Sequence, residues 1–207
     1  MKYEKVLIPA SLVAALVLAP VMALAVSTIV DADVKAKDSK IQAKIETATP
    51  IAKDGTDGAF GYAVFTSGGD GSLIVTTTHA TVCDSETQSK TSTLFFDPSC
   101  SPVWHTHYVN LAVHGGTDCA PNSALGGARL EVANLSYEQP GPTNTADTNV
   151  IFNNMPSSFT GTNAVTGTSL TWAPGSVPAG LVASFTLAVN NGHVCVENVS
   201  PAAAEVS

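Results

Sequence analysis

The chain has 207 residues, of which 44% are hydrophobic and 13% charged, with a net charge of −8. That length suits one sizeable core or at most two small ones. Only Lys90 and Arg129 follow residue 53, against 12 acidic residues from Asp54 onward, so 2 − 12 leaves this body at −10. Such a balance argues against nucleic acid as a partner, because that binding relies on Lys and Arg to neutralise phosphates.

The N-terminus reads as an export signal. Lys2 and Lys5 form a basic start, Val6–Ala25 is uncharged and mostly apolar, and Ala23-Leu24-Ala25 is a small-x-small cleavage site. The alternative is an uncleaved anchor, which would be the chain's one membrane contact, since about 20 apolar residues can span a bilayer. Residues 26–59 hold five lysines and no aromatic, and read as a stalk. Within it Ile41, Ala43, Ile45 and Thr47 alternate with Lys40, Gln42, Lys44 and Glu46, the period of two of an edge or first strand.

From residue 60 to 200 the pattern is a succession of strands punctuated by turns. Phe60–Thr66 and Ser72–Cys83 flank a Gly-rich turn, Thr91–Phe96 stops at Asp97-Pro98, and Val103–His114 stops at Gly115-Gly116. Ala128–Tyr137, Asn149–Phe152 and Ser169–Trp172 follow. Gly180–Val189 and His193–Val199 then flank Asn191-Gly192, the strongest short-range hairpin signal in the chain. No long amphipathic helix is evident in this body. The expected fold is all-β, an antiparallel β-sandwich or jelly-roll-like single domain, with residues 201–207 a frayed tail.

Cys83, Cys100, Cys119 and Cys195 all follow the signal, which suits an oxidising compartment and two disulfides. If the strands before and after Thr91–Phe96 run parallel to each other, Cys83 and Cys119 finish at one end. The expected pairing is then Cys83–Cys119 and Cys100–Cys195. The triplets beginning at Asn134 and Asn198 are glycosylation sequons.

The chemistry-bearing stretch is Val103–His114. Alternation puts His105 and His107 on one strand face together with Val109, Leu111 and Val113. Two imidazoles on one rigid face are the start of a metal site, with a third ligand from His79, His193 or His114, and copper or zinc as the ion. The competing reading ties both rings to backbone carbonyls. The cupin pattern has a His-x-His strand and a later Pro-x-Gly strand, matched here by His105-Thr106-His107 and Val177-Pro178-Ala179-Gly180. Two of its ligands are missing: no glutamate follows His107 in the strand, and Ala183 stands where a later histidine is expected.

No nucleophile elbow, phosphate-binding loop or dinucleotide fingerprint is present, so the chain reads as leaning away from catalysis. The leading expectation is a secreted or cell-surface structural or adhesive protein. Its partners would be other cell-surface proteins or copies of itself, joined by addition of Lys40–Thr47 to a neighbour's sheet edge. The alternative is an extracellular copper or zinc protein centred on His105 and His107. Trp104, Tyr108 and Trp172 are candidate sugar-stacking platforms in a third reading.

Overall fold

The computed structural model describes residues 26–51, 59–66, 72–78, 82–83, 95–96, 104–136, 143–173 and 178–207. Its strands in chain order begin with β1 (Ile29–Lys37), β2 (Lys40–Thr47), β3 (Phe60–Thr66), β4 (Ser72–Thr78), β5 (Val82–Cys83) and β6 (Phe95–Phe96). They continue with β7 (His105–Val113), β8 (Pro121–Asn122), β9 (Ala128–Leu135), β10 (Thr143–Ala146) and β11 (Asn149–Pro156). Last come β12 (Phe159–Thr162), β13 (Ser169–Trp172), β14 (Pro178–Asn190), β15 (His193–Ala203) and β16 (Glu205–Val206). Among the described residues the one helical piece is a 3-10 turn at Ser123–Leu125, and no helix is long and apolar enough to cross a membrane. The fold is all-β and almost wholly antiparallel, as the turn-punctuated Val/Thr/Phe/Tyr runs require.

Two layers make up the body. The first is a sheet of order β15-β14-β3-β4-β7-β9, closed on itself by pairing of β15 with β9. The second is a five-stranded sheet of order β10-β11-β2-β1-β16. Alternation along each barrel strand divides its residues between two cores. On β3, Phe60, Tyr62 and Val64 face the five-stranded sheet, while Ala63 and Phe65 face the barrel interior. The interlayer core joins Tyr62, Ile74, Tyr108 and Val182 of the barrel to Val34, Ile41, Ile45, Val150, Phe152 and Met155 of the sheet.

Within the 26–59 stretch expected as a stalk with an edge or first strand, residues 29–47 form the β1–β2 hairpin. Its turn residues Asp38 and Ser39 both have positive φ, as a type I′ turn requires. The period of two along Lys40–Thr47 is borne out: Ile41, Ala43, Ile45 and Thr47 are buried, Lys40, Gln42 and Lys44 are exposed, and Glu46 is half-buried. That strand is interior to its sheet, paired with β1 on one side and β11 on the other. Its backbone groups are therefore satisfied within its own chain and are not on offer to a neighbour. Residues 201–203 complete β15, and β16 pairs with β1 in parallel, so the tail is held against the sheet.

Closure of the barrel is narrow. β15 meets β9 only at Cys195↔Glu131 and Val196↔Leu130, after which a bulge with Asn198 at φ 52° turns β15 away. The buried Asn122 side chain continues the stitching. Its Nδ2 donates to Val196 O at 2.9 Å, and its Oδ1 accepts from Val199 N at 3.1 Å. Cys119 is disulfide-bonded to Cys195, which replaces both pairings expected from the strand count. The expected pairing follows from three strands alternating up and down, whereas the barrel also closes β15 on β9. Closure brings Cys195 to the loop that carries Cys119. Cys100 lies outside the described residues, and nothing is described of the Cys83 side chain.

Candidate metal centre

The barrel seam gathers three strands at one spot on its outer face. Leu130 and Val132 of β9 point inward, so Glu131 between them points out. Val194 and Val196 of β15 line the interior, which puts His193 and Cys195 outward with Glu131. His114 follows the end of β7 and is held by its N–H donating to Arg129 O at 2.8 Å. Ladder register and the His114 N–H bond to Arg129 therefore bring His114, just past β7, together with Glu131 of β9 and His193 of β15.

Glu131 Oε2 lies 3.1 Å from His114 Nδ1 and 2.6 Å from His193 Nδ1. The two rings stand edge to face with centroids 4.5 Å apart. Ligand atoms of the three residues all fall within 4.8 Å of one another, the one such group of three or more among the described residues. Behind His114, Asp118 Oδ2 is 3.2 Å from Nε2. Asp118 is itself fixed, because Asn191 Nδ2 donates to its Oδ1 at 2.5 Å and Asn190 Nδ2 to its backbone carbonyl at 3.1 Å. Asn191 and Gly192 have φ of 50° and 83°, so the hairpin read from sequence is also the device that orients Asp118.

Charge and exposure suit an ion. Burial acts to raise the Glu131 carboxyl, but hydrogen bonds from His114 and His193 outweigh it and hold the group below its ordinary value. The Asn191 amide, then His114, lower Asp118 in the same way. His114 is buried, whereas the His193 side chain is 40% exposed and gives the cluster its access to solvent. Gly116 makes room for the arrangement, since a Cβ there would stand 2.7 Å from His114 Nε2 and 3.1 Å from Asp118 Oδ2.

Of the five histidines expected as ligands, this centre takes His114 and His193. His105 and His107 do share an inward face, with ring centroids 4.7 Å apart. Both are buried, and His107 Nδ1 donates to Ser136 O at 2.6 Å. No third ligand joins them among the described residues, and His79 lies outside those residues. Glu131 was missed because its strand shows only that it faces away from Leu130 and Val132. What it faces is set by β15, more than 60 positions later.

Trp104, Tyr108 and Trp172 are buried in the interlayer core and present no stacking surface. In the first sequon the Asn134 side-chain Oδ1 accepts from Asn163 Nδ2 at 2.7 Å, and the buried Ser136 hydroxyl accepts from Tyr108 N at 2.9 Å. Asn198 of the second is exposed.

No protein-family model, curated protein or solved structure matches the chain. The functional reading therefore rests on this geometry alone.

Proposed function

We propose that this is an exported, disulfide-linked β-barrel protein that binds one transition-metal ion through His114 Nδ1, Glu131 Oε2 and His193 Nδ1. The observation that carries the reading is the convergence of these atoms within 4.8 Å, with the Asp118 carboxylate on the far nitrogen of His114. Metal-ligating histidines commonly donate their second N–H to a carboxylate, which fixes the tautomer and raises ligand basicity. Ligands at about 2.0–2.1 Å around a tetrahedral ion lie roughly 3.4 Å apart. The 3.1 Å pair is close to that already, and the 2.6 Å pair reaches it by a small swing of His193 beside its turn. A set of two imidazoles and one carboxylate suits zinc or copper(II) and leaves a coordination position open. The ion would act first as a clamp across the seam, so the reading is of a binding protein and not of an enzyme.

The test is elemental mass spectrometry on protein purified without chelator. About one equivalent of a single transition metal is expected, lost in His114→Ala and His193→Ala and kept in His105→Ala/His107→Ala. Metal that disappears only in the last variant, or none in any, would overturn the assignment.

A second reading, assembly at the cell surface, has its own support. β16 pairs with only Asp33 and Val34 of the nine residues of β1. Val206 in that cover is 48% exposed. A strand from a second copy could displace so short a cover. Deleting residues 204–207 should then raise the assembled mass seen by light scattering, and an unchanged monomer would remove the reading.

A further inference from the structure

Six-stranded barrels are narrow enough for side chains to fill, since about eight strands are needed before one small ligand fits. This barrel nevertheless encloses a cavity of about 140 Å³. Native interiors hold few voids larger than a water molecule. The cause is legible in the ladder register. One interior row runs Ala183–Ala63–Val75–His107 across β14, β3, β4 and β7, with two alanines side by side. The next row runs Phe185–Gly61–Thr77–His105, with a glycine beside Phe185. Where two neighbouring rows carry so little side chain, the opposite wall cannot reach across.

The lining is aliphatic and aromatic except for Thr77 and His107. Thr77 is 4% exposed, and its Oγ1 has no hydrogen-bond partner. A buried hydroxyl left unpaired forfeits its hydration without a replacement, so natural cores rarely keep one without a use. The threonine could have been a valine of the same shape. His107 is fixed by its bond from Nδ1 to the Ser136 carbonyl. Leu125, which also lines the cavity, is 39% exposed.

We propose that the barrel interior is a binding site for an uncharged, mainly apolar molecule the size of one aromatic ring, bearing a single hydroxyl or carbonyl that pairs with Thr77. The size follows from the volume, because a cavity of about 150 Å³ lined by apolar side chains admits benzene. The absence of charge follows from the lining, which holds no carboxylate, lysine or arginine and has His107 as its one ionisable side chain. The single polar group follows from Thr77. This site lies inside the barrel, whereas the metal centre lies on its outer face, so either stands without the other.

Phenol and toluene are the probes, titrated by calorimetry into the purified protein in the presence of chelator. Phenol is expected to bind at one equivalent and more tightly than toluene. Ala183→Leu fills the void, and should abolish binding of both while leaving the protein folded with an equal or higher melting temperature. Thr77→Val should weaken phenol by about tenfold and leave toluene unchanged. Binding to Ala183→Leu as strong as to the parent, or no binding of either probe to the parent, would overturn the site. An unchanged preference for phenol in Thr77→Val would overturn the role given to Thr77.

Discussion

Glu131 of β9 stands directly opposite Cys195 of β15, in one of the two residue pairs by which the barrel closes. The proposed metal ligand and the disulfide are thus neighbours across the same seam. A ladder of two pairs is a weak closure by itself, and both features tie together elements far apart in the chain.

Removing the disulfide should loosen that seam. Cys119 and Cys195 are 76 residues apart, and a bridge closing a loop of that length restrains the unfolded chain by about 4 kcal/mol. Cys119→Ala/Cys195→Ala is expected to melt on the order of 10 °C lower by calorimetry at fixed pH. Peptide mapping of the unreduced parent should recover the Cys119 and Cys195 peptides joined, with Cys83 and Cys100 left as the other pair. A Cys83–Cys119 peptide would contradict the seam itself.

The metal reading is tested without touching a ligand through Gly116. An alanine there places a methyl 2.7 Å from His114 Nε2 and 3.1 Å from Asp118 Oδ2, prising the ring from its supporting carboxylate. Loss of such a support commonly lowers metal affinity 10- to 100-fold. Gly116→Ala should fall in that range by competition with a chelator of known affinity, with the melting temperature of the metal-free protein little changed. Full affinity would mean that Asp118 does not orient His114.

Much of the fold was legible because burial follows local alternation. Phe60–Thr66 and Ser169–Trp172 were read to the residue, and Asn191-Gly192 was read as the turn it forms. The inward face of His105 and His107 came from the same rule. Other features depend on which strands become neighbours. β1 was missed because Asp31, Asp33, Lys35 and Lys37 give it a charged look, and only pairing with β2 turns Ala32 and Val34 inward. Barrel closure, the Cys119–Cys195 bridge and the place of Glu131 all rest on β9 meeting β15. No local pattern announces that contact.

Acid should weaken the seam in the metal-free protein. Glu131 and Asp118 are both held below their ordinary values, so the folded state binds fewer protons than the unfolded one as the pH falls toward them. Their contribution is present above a carboxylate's ordinary value, about 4.3 for glutamate. It is lost as the pH drops through the lower folded value. With chelator present, the parent's melting temperature should therefore fall more steeply between about pH 5 and 3 than that of Glu131→Gln. Parallel curves would show that the imidazoles do not stabilise the Glu131 carboxylate.

Gly61 tests how the barrel wall and its cavity are coupled. A Cβ at this position would lie 2.5 Å from Thr76 O, 2.7 Å from Thr77 Cγ2 and 2.8 Å from Phe185 Cζ. The first of these is backbone in the paired strand and cannot swing aside, so the strands must part. Overpacking of this kind costs about 1–3 kcal/mol. Gly61→Ala should therefore melt roughly 3–10 °C lower by calorimetry. The Phe185 ring lines the cavity, and the shortest way for it to yield is into that space. The same variant should then bind phenol at least several-fold more weakly than the parent. Lower stability with unchanged phenol binding would mean that the β3–β4 ladder absorbed the methyl and that Phe185 stayed in place.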